Sequence, residues 1–287
     1  MLGEGSPLAG DEGAELVEQF RADSSGFANG SCHANYYQPL KDSPSSPSRY
    51  GWPMDADRVR GDLVTMLTAT RAAERELFAR FDPATRDSPP APGEWSPKDI
   101  QAHLSGWKAR QVKRYEAARN GQGPDTPDGR EIDEVNAEMH EARAAWPWDD
   151  VLAEADQVSD QLVAQVQAAD PPVLLGPDSL LGSTFGNGAS HALEHLPQLA
   201  RRVGDESAVD ALAAELARLA SSGSIPERDA ATLVYNLACF QALAGRLDAA
   251  RDLLPGAFRL RPDLLEWGLE DSDLAALHDE LAALAAQ

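Results

Sequence analysis

Residues 94–104 read EWSPKDIQAHL and carry a complete signal for the start of a helix. Ser96 fits the N-cap position, and Pro97 fits the first helical position, where its missing N–H costs no hydrogen bond. Asp99 stands three residues after Ser96, which is a variant of the capping box. The stretch therefore predicts a helix that begins near Pro97, carries His103 in its second turn and continues to about residue 118.

Helical periodicity extends from just after Met54 through most of the chain, and no run alternates with the period of two that a strand requires. The predicted helical regions of the first half lie at about 56–81, 96–118, 130–169 and 185–203. We expect Pro147 to break the third region and Pro197 to kink the fourth. The sequence thus predicts an all-α protein whose residues 54–204 form a four-helix bundle.

Residues 1–53 differ in composition from everything that follows them. They are rich in Gly, Ser, Pro and Asn and end in a run of Ser and Pro at residues 43–48. Such a segment buries too little apolar surface to offset the loss of chain entropy on folding. We therefore interpret residues 1–53 as a disordered tail or as an over-extended start of the sequence.

Residues 205–287 form a second helical unit in this interpretation. Residues 235–250 read YNLACFQALAGRLDAA, a helix, a tight glycine turn and a second helix, which resembles a tetratricopeptide repeat. Ala238, Ala250 and Ala257 stand at its small-residue positions. A single clear repeat needs neighbouring helices to cover its apolar faces. The unit would offer a surface to a protein partner or to a second copy of the chain, or it would simply add a packing layer.

Composition and charge exclude several classes of partner. The net charge of −22 and the absence of a basic patch argue against nucleic acid and against anionic membrane surfaces. No segment approaches 18 uninterrupted apolar residues, and no basic stretch followed by an apolar one marks a secretory signal. Cys32 and Cys239 lie in segments of different character, so no structural disulfide is expected. These features predict a cytoplasmic protein.

The pattern of histidines points to a metal site. The chain has only six histidines, yet residues 190–196 read SHALEHL and place His191 and His195 one helical turn apart on one face. With His103 from a facing helix, they would form the protein half of an open metal site, which leaves a position for water or substrate. The expected ion is divalent: zinc first, with nickel and iron as alternatives.

Neighbouring residues extend this hypothesis. Trp107 lies four residues after His103 on the same helical face and is either a pocket wall or a core aromatic. Asp99 lies one turn before His103 and would orient the imidazole as a hydrogen-bond acceptor behind it, although capping is its simpler role. Residues 191–195 also match the H-x-x-E-H pattern of inverted zinc proteases, with Glu194 as general base. On a regular helix, however, Glu194 points away from both histidines, which favours a salt bridge or a solvent contact.

Several of these stretches together resemble the DinB-like superfamily. The WSPKD and AHL segments with Trp107 resemble its second helix, and the His191-x-x-x-His195 spacing with Gln198 and Leu199 after it resembles its fourth. Residues 134–137 and 148–154 resemble the branch that includes colibactin-type self-protection proteins. The resemblance covers about residues 54–204, and the repeat-like unit lies outside it.

The resemblance implies a four-helix bundle with a three-histidine site for a divalent metal, whose ligands by position are His103, His191 and His195. It also implies transfer or isomerisation reactions that use a low-molecular-weight thiol, and the opening of strained electrophilic rings. We therefore predict a metal-dependent protein that acts on a small electrophile by thiol transfer or hydrolysis, in detoxification or self-resistance. The alternative is a non-enzymatic protein that sequesters a ligand or binds a partner through its repeat-like helices.

Overall fold

The computed structural model describes residues 55–91, 93–122, 132–176 and 179–286, so the prediction for residues 1–53 lies outside the described residues. Helices and no strands occur in these four ranges. The elements are α1 (Ala56–Phe78), α2 (Pro97–Arg119), α3 (Ile132–Glu141), α4 (Trp148–Ala168), α5 (Pro171–Leu175), α6 (Leu181–Phe185), a π-helical turn (Gly186–Ser190), α7 (His191–Val203), α8 (Ser207–Ser221), α9 (Glu227–Leu243), α10 (Leu247–Leu260), α11 (Asp263–Gly268), a 3-10 helix (Ser272–Leu277) and α12 (His278–Ala285).

The start of α2 confirms the capping signal that the sequence carries. The hydroxyl of Ser96 accepts a hydrogen bond from the backbone N–H of Asp99 at 3.2 Å, and the Asp99 carboxylate accepts one from the backbone N–H of Ser96 at 3.1 Å. Two N–H groups that the helix itself cannot satisfy are thereby paired. This box fixes where α2 begins, and so sets the height of His103 within the bundle.

The long helices α1, α2, α4 and α7 form the bundle, as predicted. α2 and α1 both lie against α4, and α7 lies against α1 and α2. Their shared interior is apolar and closely covered: Leu63, Met66, Phe78, Leu162 and Leu196 are all buried to within 1% of complete. The predicted break at Pro147 is also confirmed, because α3 ends at Glu141 and α4 begins at Trp148. Burial of the apolar helix faces in this shared interior accounts for the all-α fold.

The prediction for the fourth helix is wrong in detail. Instead of one helix over 185–203, α6 ends at Phe185, a π-helical turn spans Gly186–Ser190, and α7 begins at His191 and continues through Pro197. The predicted helix is thus divided at a glycine-rich segment. Within this segment, a Cβ atom at Gly188 would lie 2.3 Å from Cδ2 of Leu67 on α1. The close approach of α1 requires glycine at this turn.

Replacing Gly188 by alanine should therefore lower the free energy of unfolding by about 1–3 kcal/mol, because the added methyl group must displace Leu67 in a filled core. Gly61 on α1 is the matched control, since it is exposed and no atom lies within 4 Å of the place that its Cβ would take. Gly61→Ala should instead stabilise the protein by about 0.5–1 kcal/mol through helix propensity. Urea unfolding of both variants measures the contrast, and equal effects would contradict it.

The C-terminal helices share the bundle's core. α8 lies against α1, and α9 lies against α7, α8 and α10. Leu212 of α8 and Leu237 of α9 belong to the same cluster of buried side chains as Leu63. A second, smaller core joins α9 and α10 to the last helices, and it contains Cys239, which is buried. The C-terminal unit is therefore built onto the bundle through an apolar interface.

The α9–α10 hairpin has the shape on which the repeat interpretation depends. Ala238, Ala250 and Ala257 are completely buried. Because protein interiors are closely packed, only small side chains fit where the two helices meet. The tetratricopeptide interpretation itself stays a prediction. Across the described parts of the chain, no helix combines the length and the hydropathy that crossing a membrane would require.

Candidate metal centre

Three histidine side chains meet between α2 and α7. Nε2 of His191 lies 3.1 Å from Nε2 of His103 and 3.0 Å from Nε2 of His195. One ring nitrogen from each residue lies within 4.8 Å of the other two. His103 is buried, and the other two are partly buried. The predicted ligand residues are thus brought together, with the pair one turn apart on α7 and the third across the bundle on α2.

The chemistry of this cluster fits a bound cation. Nε2 of a neutral imidazole carries either one proton or one lone pair. Nε2 of His191 therefore makes at most one well-formed hydrogen bond, yet it has a ring nitrogen about 3 Å away on each side. A shared divalent ion would satisfy all three lone pairs at once. Nitrogen donors of this kind suit zinc and the other late first-row metals.

The π-helical turn before α7 is held by buried polar side chains. Gln111 of α2 donates hydrogen bonds to the hydroxyls of Ser183 and Thr184, both at 3.0 Å, and accepts one from the amide of Asn187 at 3.1 Å. These contacts join α2 directly to the turn that carries His191. They hold α2, which carries His103, against the turn that precedes the histidine pair.

Trp107 lies beside the cluster, as its spacing predicts. The centroid of its ring is 6.4 Å from that of His103 and 6.1 Å from that of His191, and the residue is 5% exposed. Its indole N–H donates to the side-chain oxygen of Asn136 on α3 at 3.2 Å. The ring is therefore held in one orientation and forms an apolar wall next to two of the three histidines.

Trp95 forms a second aromatic wall, which the sequence reasoning missed. Its ring centroid lies 4.5 Å from that of His103 and 6.4 Å from that of His195. Its other neighbour is His140 of α3, with ring centroids 6.0 Å apart and planes 4° from parallel. A signal was present in the sequence, because Trp95 immediately precedes the N-cap of α2, where an apolar residue commonly folds back onto the helix.

Asp99 contacts Ser96 and His140. The carboxylate of Asp99 lies 3.3 Å from Nε2 of His140, in addition to its bonds within the capping box. Burial alone would raise the pKa of Asp99, but hydrogen bonds from His140 and Ser96 outweigh burial and lower it. The same bond raises the pKa of His140 above its ordinary value of 6.5. Asp99 therefore orients His140, and through it the face of Trp95.

The Asp99–His140 pair should make stability depend on pH. Because the folded-state pKa of His140 is raised, its contribution is fully present below about pH 6.5 and disappears as pH rises through the folded-state pKa. At about pH 6, His140→Gln should cost about 0.2–1 kcal/mol, as expected for a partly exposed pair. The pKa itself is measured by NMR titration of the imidazole protons. Asp99→Asn should lower it, and a wild-type value below 6.5 would contradict the assignment.

Glu194 neither faces solvent nor points away from His191, so the expected orientation away from both histidines is wrong, because residues three apart share a helical face. The residue is 5% exposed, and its Oε2 lies 3.9 Å from Nε2 of His191. Burial raises the pKa of Glu194 well above its usual range, and the charges of Asp273 and Asp271 raise it further. The turn from His191 to Glu194 is regular, but this flank of α7 is covered by the C-terminal helices. The sequence pattern could not show that cover.

Comparison with known proteins finds one similarity, to a family model. No curated protein and no solved structure matches the chain significantly. A family model does match one part of it, from the middle of α1 to the middle of α7, and the matched part contains all three histidines. Residues 66–199 of this chain are thus similar to the DinB superfamily.

Proposed function

We propose that the protein binds one divalent metal ion through His103, His191 and His195 and uses it to act on a small electrophile, by thiol transfer or by hydrolysis. The observation that carries this proposal is the convergence of three ring nitrogens from two helices, with Nε2 of His191 about 3 Å from both of the others. Similarity of residues 66–199 to the DinB superfamily supports it.

Three neutral imidazoles would leave the ion its full positive charge, which lowers the pKa of a water or thiol beside it and so supplies a nucleophile at neutral pH. The chain's own residues supply the surroundings. Trp95 and Trp107 flank His103 with apolar surface and limit the access of water. Two such rings suit a flat or apolar electrophile better than a highly charged one. A low-molecular-weight thiol would be the second reactant in the transfer reaction.

Residues on α3 complete the wall. His140 stacks on the outer face of Trp95, and Asn136 fixes the indole of Trp107. A role in detoxification or self-resistance would follow from the reaction, because removing a reactive electrophile protects the cell that makes or meets it. The rival proposal is a protein that binds its ligand without turnover.

Metal analysis tests the proposal first. The wild type, loaded with zinc at neutral pH and desalted, should retain about one ion per chain, and His191→Ala/His195→Ala should retain none. Loaded protein is then assayed with strained-ring electrophiles, with and without a low-molecular-weight thiol. No retained metal in the wild type would overturn the proposal. Metal without turnover, together with tight binding of an electrophile, would favour sequestration instead.

A further inference from the structure

Glu194 is a buried acidic side chain without a cationic side chain to balance it. Within the described residues, the only ion-pair contact of its carboxylate is the 3.9 Å approach to His191, and none of the hydrogen bonds there involves that carboxylate. A buried carboxylate without compensation is costly, so such a group takes up a proton or pairs with a cation or a metal. Glu194 therefore lies beside His191 without a balancing partner of its own.

The surroundings of Glu194 add negative charge. Asp271 and Asp273 approach it from the C-terminal helices. The Asp271 carboxylate is already engaged, because it accepts a hydrogen bond from the hydroxyl of Tyr235 at 2.7 Å and one from the backbone N–H of Asp273 at 3.0 Å. Neither aspartate can neutralise the carboxylate of Glu194, because both carry the same charge. A cation on the other side of Glu194 would neutralise it.

The position of Glu194 is suitable for reaching such a cation. Residues three apart on a helix share a face, and a ligand pair with this spacing recurs in helix-bundle metal sites. Two ligand atoms on one tetrahedral zinc ion lie roughly 3.3 Å apart, given metal–ligand bonds of about 2.0–2.1 Å. Oε2 of Glu194 lies 3.9 Å from Nε2 of His191 but outside the set of three ring nitrogens that lie within 4.8 Å of one another, so its side chain would have to rotate toward them to reach the ion.

We propose that Glu194 is a fourth protein ligand of the divalent ion held by His103, His191 and His195, an inference that rests on the proposed function. Compared with three imidazoles alone, the carboxylate would offset one of the ion's two charges, and Glu194 would gain a cation beside it. A nucleophile would then enter as a fifth ligand, a number that zinc accommodates. The C-terminal helices take part in this arrangement, since they bury the outer side of Glu194.

Zinc affinity and a cobalt spectrum test the assignment. Zinc dissociation constants are measured by competition with a chromophoric chelator, and cobalt(II) is added separately to record its visible ligand-field absorption. Glu194→Gln keeps the shape of the side chain and should weaken zinc binding by about 10–100-fold. It should also change the intensity of the cobalt absorption, because the set of ligands changes. Asp273→Asn is the matched control, since it removes a nearby negative charge that reaches no ligand position.

The outcomes separate the two proposals. Weaker zinc binding with an altered cobalt spectrum in Glu194→Gln, and a change of less than about threefold in Asp273→Asn, would support the ligand. An unchanged spectrum, or equal losses in the two variants, would overturn it and leave only a general charge effect. Absence of metal binding in the wild type would overturn the proposed function itself. Urea unfolding of each metal-free variant confirms that the fold is retained.

Discussion

Glu74→Gln should lower the free energy of unfolding by about 3–5 kcal/mol, one of the largest effects expected in this chain. Glu74 is completely buried on α1, where its carboxylate accepts hydrogen bonds from Lys108 of α2 and from Arg71 at 3.1 Å. Lys108 is 3% exposed and Arg71 is 5% exposed. The amide would leave buried Lys108 without its counter-charge, whereas Arg71 keeps its ion pair with Asp156. An uncompensated buried charge is far more costly than a lost surface pair.

Two controls isolate that charge effect. Glu76→Gln removes an exposed carboxylate two residues away on the same helix, where the ion pair to Arg80 spans 3.5 Å, and should change stability by less than about 0.5 kcal/mol. Glu74→Leu/Lys108→Met removes both partners and should recover much of the loss, because apolar replacements of a buried pair are often neutral or stabilising. Urea unfolding measures all three variants. A cost below about 1 kcal/mol for Glu74→Gln would contradict the prediction.

The buried ion pair also shows what the sequence pattern does not reveal about α1. Arg71 and Glu74 would be assigned to solvent by their charge, although their spacing places them on the apolar face of the helix. Both are buried, because Lys108, Gln101 and Asp156 meet them across the bundle. Polar residues enter a core when partners from other helices satisfy them. Those partners lie 30 to 85 residues away in the chain, so local patterns do not reveal them.

The candidate site was predictable to the extent that it depends on local spacing. A four-residue interval on one helix places His191 and His195 together, and the capping box sets the start of α2. His103 required the resemblance to a family as well, since nothing in its own helix points to α7. Trp95 and His140 illustrate the limit: their contact depends on where α3 lies, and α3 is separated from α2 by residues that carry no periodic signal.

The π-helical turn and Glu194 were missed for a related reason. The turn at Gly186–Ser190 needs glycine at position 188 because α1 approaches it closely, and the burial of Glu194 depends on the C-terminal helices. Both are consequences of packing between distant segments. The turn immediately precedes His191, and π-helical turns are frequent at functional sites. The part of the fold that local reasoning described least well is therefore the part that positions the histidine pair.

Replacing His103, the one histidine of the cluster on α2, should abolish the stabilisation of the folded chain by zinc. In the wild type, zinc at about 100 times its dissociation constant should raise the free energy of unfolding by about 2.7 kcal/mol, because the ion binds the folded chain in preference to the unfolded one. His103 supplies the only one of the three ring nitrogens that comes from α2, so the ion connects α2 to α7 through it. His103→Ala should reduce the zinc-dependent increase to near zero.

Each variant is compared with itself, with and without zinc, so that any packing cost of replacing the buried His103 cancels from the result. His140→Ala is the matched control: its imidazole stacks on Trp95 but lies outside the three-histidine cluster, and it should keep the full zinc-dependent increase. Thermal and urea unfolding in parallel measure the shift. An equal zinc effect in wild type and His103→Ala would contradict the prediction. It would mean that the ion binds through α7 alone, without a ligand from α2.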